Sequence, residues 1–169
     1  MNLQVESVAL RDWEDSLSGL LIAENDDWLL LHYIPVDYVL DGYKIIRKSV
    51  IESRQRDEKH QLVEKVFRLR GVHTHPPLGF QFSEVEHMLH WVEQRFGFFE
   101  FQDDEEDEVL YGKVSQIDEE RDLSIDFVDA EGQQINDYEA IFELDSIRII
   151  SFDSDYFNAI HLLWQDNQQ

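Results

Sequence analysis

The chain has no cysteine, which excludes disulfide bridges, thiolate metal sites and a thiol nucleophile. That absence fits a reducing compartment. Proline and glycine are also scarce, three and seven in 169 residues, too few for extended linkers or low-complexity tails. Apolar runs are short: residues 28–31 fall far below the roughly 20 that a membrane-spanning helix needs. The first ten residues lack the basic region and unbroken apolar stretch of a secretory signal. The expectation is a soluble, cytoplasmic protein without membrane association. Positive charge is the last deficit. Fourteen Lys and Arg stand against 37 Asp and Glu, a formal net charge of -23, which repels a phosphate backbone before any local contact forms. Nucleic acid is therefore not an expected partner, and a basic protein is the partner that the charge fits.

What is present is a core. Eleven Phe, six Tyr and four Trp lie within a 43% hydrophobic composition, which is ample for folding without disulfides. Over the first fifty residues, alternating or short apolar runs at 3–10, 19–23, 28–34, 38–46 and 50–51 are separated by polar or Pro-containing breaks, a pattern of five short strands. The period then lengthens. Leu62, Val63, Val66, Phe67 and Leu69 recur at helical spacing and predict a helix over about 57–70. His73-Thr74-His75-Pro76-Pro77 ends it. Ser83 and Glu86 have the spacing of a capping box and open a second helix, 83–96, which Gly97 stops. From 98 the two-residue period returns at 99–101, 109–117, 123–128, 135–142 and 147–152, and Ser154 caps a short last helix through Trp164.

The two strand sets repeat one another. With Gly19 placed on Gly112, each copy reads as a Gly-led strand, an acidic turn, an apolar strand, a long strand and a short closing strand. The predicted fold class is mainly β (α+β): two duplicated, five-stranded, strongly bent antiparallel small barrels at 1–56 and 98–169, joined by a two-helix connector at 57–97.

Gly19, Leu21 and Asn25, followed by Ile46-Arg47-Lys48-Ser49-Val50-Ile51, resemble the two halves of the Sm-like signature, a relative of the SH3-like barrel. The tandem arrangement is also similar to small-barrel proteins of bacteria, a likeness that implies architecture and no activity. In the family, RNA contact uses an Asn in the loop at the third strand, an aromatic or Met beside it, and an Arg in the closing loop. Here Trp28 fits the stacking position, but Leu29 stands where the Asn belongs and Lys48 follows Arg47 where Gly is usual. In the second copy Arg121, Asp122 and Glu143 take the matching places, and a Glu repels phosphate where Arg would bind it. The resemblance implies a fold without RNA binding.

Candidate sites are few. His73 and His75 share one side of an extended segment, and His87 and His90 share a helix face. Four imidazoles, with Glu84 or Glu86 as an oxygen ligand, are the metal candidates, weighed against solvated histidines. Asp103, Asp104, Glu105, Glu106, Asp107 and Glu108 cannot pair across a sheet without repulsion and read as a solvated hairpin loop and candidate docking patch. They lack the calcium-loop pattern. Lys44, Arg47 and Lys48, with Arg54 and Arg56 beyond, form a local basic patch that reads as charge balance. No phosphate-binding Gly loop, nucleophile elbow or metalloprotease motif occurs, and no cofactor is expected.

The favoured reading is a non-catalytic protein–protein interaction module with an acidic surface and a regulatory role. The alternatives are a metal-dependent enzyme built on the four histidines and an acidic antidote that neutralises a basic toxin.

Overall fold

The computed structural model describes residues 3–104, 106, 110–135 and 141–169. The chain divides into two compact units, Met1–Phe80 and Gln81–Gln169. The predicted mainly β class is observed, with antiparallel strands and three helices among the described residues. No helix among the described residues is long and apolar enough to cross a membrane.

The first unit contains β1 (Val5–Leu10), β2 (Ser16–Glu24), β3 (Trp28–Tyr33), β4 (Tyr43–Arg47), a 3₁₀ turn (Lys48–Val50), β5 (Ile51–Gln55) and α1 (Glu58–Leu69). The sheet order is β5-β1-β2-β3-β4, so the last strand returns to pair with the first. Among the described residues β4 and β5 do not pair with each other, and the sheet stays open. The three-residue turn between them leaves no hairpin and sends β5 across to β1. Leu29, Leu30 and Leu31 are all fully buried, so β3 is covered on both faces, which explains its unbroken apolar run. Leu3, Val5, Leu20, Ile34 and Phe67 form one core cluster, which Val63 of α1 joins.

The second unit contains α2 (Val85–Phe96), β6 (Phe99–Gln102), β7 (Leu110–Ile117), β8 (Asp122–Phe127), β9 (Ile141–Glu143), a 3₁₀ turn (Leu144–Ser146), β10 (Ile149–Phe152) and α3 (Asp155–Asn167). Its order, β10-β6-β7-β8-β9, is that of the first unit with every strand five places on. The helices expected as one connector over 57–97 fall in different units, α1 in the first and α2 in the second.

The correspondence extends to details. A register shift falls between Leu21 and Ala23 in β2 and between Val114 and Gln116 in β7, at the same distance from Gly19 and Gly112. Both glycines sit where the neighbouring strand crosses too closely for a side chain. A Cβ on Gly19 would lie 2.8 Å from Leu31 Cβ, and one on Gly112 would strike the Asp126 carbonyl. The Asn25 side chain accepts hydrogen bonds from the amides of Asp27 (3.0 Å) and Trp28 (2.7 Å), and Asp118 accepts from Glu120 and Asp122, both 2.9 Å. These Asx turns shape the same acidic connection in each copy.

Several boundaries differ from the sequence reading. Residues 38–42 form a loop and not the start of β4, since Asp37 and Gly42 both take positive φ. Residues 48–50 form the 3₁₀ turn, and β5 runs on through the polar residues to Gln55. The predicted strand over 135–142 lies partly outside the described residues, and β9 is Ile141–Glu143. The capping box at Ser83 and Glu86 does not form: the N-cap is Glu84, one residue later, with no side-chain cap. A capping box appears on α1 instead, where Asp57 accepts from the His60 amide and the His60 ring reaches back to the Asp57 amide. The Ser154 cap forms as predicted, with Phe157 N–H donating to its Oγ at 3.3 Å.

Candidate functional site

The acidic run lies between β6 and β7, which are antiparallel neighbours, so its position is that of a hairpin connection. Asp104 is exposed, and Asp103 and Glu106 are half-buried. Gln102 Nε2 donates to the Glu106 carbonyl at 2.8 Å. Glu105, Asp107 and Glu108 lie outside the described residues.

The basic patch is engaged within its own unit. Lys48 Nζ meets Glu24 at 3.1 Å, and Arg54 bridges Glu6 (2.7 Å) and Glu24 (2.8 Å). These two cations hold the Glu24 carboxyl below its ordinary pKa, chiefly through the Arg54 hydrogen bond. Arg56 pairs with Glu64 at 2.6 Å. Lys44 stands over the Tyr33 ring and Arg47 over the Trp28 ring, with centroid distances of 4.7 and 4.6 Å. Trp28, the stacking position of the Sm-like resemblance, is therefore covered by Arg47 and is almost fully buried. In the second unit the matching cross-strand pair is Asp122 and Glu143, two carboxylates in direct register.

The histidines do not assemble a ligand set that the structure displays. His73 and His75 are exposed and stack on each other, ring centroids 5.9 Å apart. His87 is exposed on α2 and His90 half-buried. Among the described residues no group of three or more His, Asp or Glu is placed to hold a metal ion.

One constellation escaped the sequence reading. His60 Nδ1 lies 2.8 Å from Asp57 Oδ1, and His60 Nε2 lies 2.9 Å from Ser7 Oγ, which is itself 2.9 Å from Ser18 Oγ. The connectivity is that of an acid–base–nucleophile relay. Its setting is structural. Ser7 sits in the middle of β1, flanked by β2 and β5, where the backbone amides are committed to the ladders and are not free to form an oxyanion hole. Asp57 N–H also lies 3.1 Å from Nδ1, so the imidazole can donate to the carboxylate or accept from the amide. In either tautomer Nε2 keeps Ser7. The relay thus docks the first turn of α1 on β1. The only sequence signal was an Asp three residues before a His at a helix start.

Aromatic packing dominates the second unit. Trp164 meets Phe98 edge-on at 5.5 Å and stacks on His161 at 6.0 Å, and Lys113 Nζ stands 4.2 Å from the Trp164 centroid. Burial, then the Lys113 charge, hold the His161 imidazole below its ordinary pKa. Burial and the hydrogen bond with Tyr156 push the Tyr111 phenol up to about 12, so it stays protonated at neutral pH.

Comparison with protein-family models, with curated proteins and with solved structures finds no match.

Proposed function

We propose that this chain is a non-catalytic protein–protein interaction module that offers an acidic surface to a basic partner, built as a duplicated pair of small, open-edged Sm-like barrels. The observation that carries the reading is how the charges are used. Lys48, Arg54, Arg56 and Arg121 are paired with carboxylates, and Lys44, Arg47 and Lys113 lie over aromatic rings. Much of the small cationic complement is therefore spent internally, while the chain as a whole carries 37 acids against 14 bases. Such a field accelerates and orients encounters with a positively charged surface, and salt weakens it. The repeated strand order, glycine positions and Asx turns support the duplication. The cytoplasm is the compartment that the absence of cysteine favours.

The test is affinity purification of the tagged full chain from its own host at two salt concentrations, with mass spectrometry. A stoichiometric basic partner that is lost at high salt supports the reading. Recovery of no partner, or of one held equally well at high salt, refutes it.

A further inference from the structure

Most cations of this chain are engaged where they stand, and the exceptions collect on one helix face. Lys59, Lys65 and Arg68 of α1 are exposed, and among the described residues their side chains make no ion pair, hydrogen bond or ring contact. From Lys59 to Arg70 the only acid is Glu64, which is buried and held by Arg56 and the Val5 amide. Lys59 stands in the first turn, where a cation opposes the helix dipole, so helix stability does not account for it.

Two leucines share this face. Leu62 and Leu69 are 55% and 80% exposed. Their spacing places them two turns apart on one side of the helix, with Lys65 between them. Helical spacing sets Arg68 on one flank of this stripe and Lys59 on the other, while the buried Glu64 and Phe67 point the opposite way. The outer face of α1 is thus an apolar ridge bordered by cations.

The helix is also held still. Asp57 and His60 cap its start, and the His60 ring reaches Ser7 at 2.9 Å. Beyond its end Arg70 Nη1 donates to the Tyr38 carbonyl at 2.9 Å. The ridge is presented preformed, which lowers the ordering cost of binding.

Charge selects the occupant. A second copy packed through the same face would set Lys and Arg against Lys and Arg, with Glu58 as the one exposed acid of each helix. An anionic bilayer or a nucleic acid is an extended polyanion, which also meets the field of a chain of charge -23. A single helix is about 10 Å across and charge acts over roughly 8 Å at physiological salt, so a helix laid on α1 feels the local cations first. We infer that the outer face of α1 is the docking site for an acidic amphipathic helix of a partner protein. That helix lays its apolar stripe on Leu62 and Leu69 and its Glu or Asp residues on Lys59, Lys65 and Arg68. This surface is opposite in sign to the one proposed above and does not depend on it.

The probe is a fluorescent helical peptide of about 18 residues with Leu at helical spacing and Glu and Ala elsewhere, titrated against the full chain by anisotropy, beside a scrambled peptide of the same composition. The patterned peptide binds at least about tenfold tighter than the scrambled one. The Leu62→Gln/Leu69→Gln protein removes that difference with an unchanged circular dichroism spectrum. Lys65→Gln/Arg68→Gln weakens binding about tenfold or more, whereas Arg95→Glu, which changes the net charge by the same amount at an exposed position of α2, leaves it intact. Equal affinity for both peptides, undiminished binding by either α1 variant, or equal weakening by Arg95→Glu overturns the inference. So does co-sedimentation with vesicles of phosphatidylcholine and phosphatidylserine in equal parts that Lys65→Gln/Arg68→Gln abolishes, which makes the face a membrane contact.

Discussion

Glu64 lies on the buried side of α1 with only 5% of its surface exposed, in a chain whose other acids mostly face water. Its role follows from where β5 stops. β1 pairs with β5 from Ser7 opposite Gln55 onward, so Val5 lies beyond the end of its neighbour. Two side chains supply what the missing strand would have given: Val5 N–H donates to Glu64 Oε1 at 2.8 Å, and Arg56 Nε donates to the Val5 carbonyl at 3.3 Å. Arg56 and Glu64 are joined at 2.6 Å. Replacing Glu64 with Ala strands a buried amide, which costs about 1–3 kcal/mol. It also removes an ion pair worth no more than about 1 kcal/mol, since the Arg56 side chain is 44% exposed and returns to water. The expected loss is about 3 kcal/mol, a fall in melting temperature of roughly 15 °C for a unit of this size. Glu64→Gln keeps an acceptor for the amide and costs about 1 kcal/mol. Urea denaturation gives the energies, and hydrogen exchange at the Val5 amide gives the location. Equal destabilisation by Ala and Gln, or an Ala variant within about 0.5 kcal/mol of the parent, refutes the strand-substitute argument.

Three further outcomes are expected from the packing of the two units, each considered by itself. Gly97 ends α2 at φ +90° with the His161 ring where a Cβ would stand. Gly97→Ala is therefore expected to cost about 2 kcal/mol or more, part of which His161→Ala restores in a double-mutant cycle by urea denaturation. His161 has its folded-state pKa below the unfolded value of about 6.5. The unfolded chain takes up that proton first, so its contribution to stability is present above that pH and is lost as pH falls toward the folded pKa. The drop in urea midpoint between pH of about 7.5 and 5.5 should be smaller in His161→Gln than in the parent, and an equal drop refutes the assignment. Asn25→Ala loses two amide acceptor contacts and should cost about 1 kcal/mol, whereas Asn25→Asp should be tolerated because Asp118 performs the same turn in the second unit. Thermal denaturation of the two variants separates these outcomes.

How much of this was legible in the sequence depended on whether the signal was local. Gly19 and Gly112 could be aligned because a glycine inside an apolar strand usually marks a close approach, and both prove to face a strand too near for a side chain. Ser154 and Gly97 gave the start of α3 and the end of α2, since caps depend on a few neighbouring residues. The strand β5 was nearly invisible. Ile51-Glu52-Ser53-Arg54-Gln55 has little apolar alternation, and its partner β1 lies more than forty residues away. Tyr38, Val39 and Leu40 misled in the opposite sense, because three apolar residues read as strand where Asp37 and Gly42 turn the backbone. On α1 the expected stripe included Leu62 and Leu69, which are exposed at 55% and 80%, while Glu64 is buried. Patterning by hydrophobicity could not find a carboxylate recruited by a stranded amide. The Asp57–His60–Ser7 relay was hidden for the same reason, since 53 residues separate Ser7 from His60.

The two units differ most where their backbones agree. Lys48 N–H donates to the Asp27 carbonyl in the first, and Leu144 N–H donates to the Arg121 carbonyl at the matching point of the second. Beside that conserved bond the cross-strand neighbours are Trp28 and Arg47 in one unit, joined by cation–π contact, and Asp122 and Glu143 in the other. Two carboxylates directly opposite each other destabilise a sheet by a few tenths of a kcal/mol to about 1 kcal/mol. The fold gains nothing from them, as the first unit makes the same turn without them. Arg121 is paired with Asp145 at 3.3 Å, which leaves the facing pair its own repulsion.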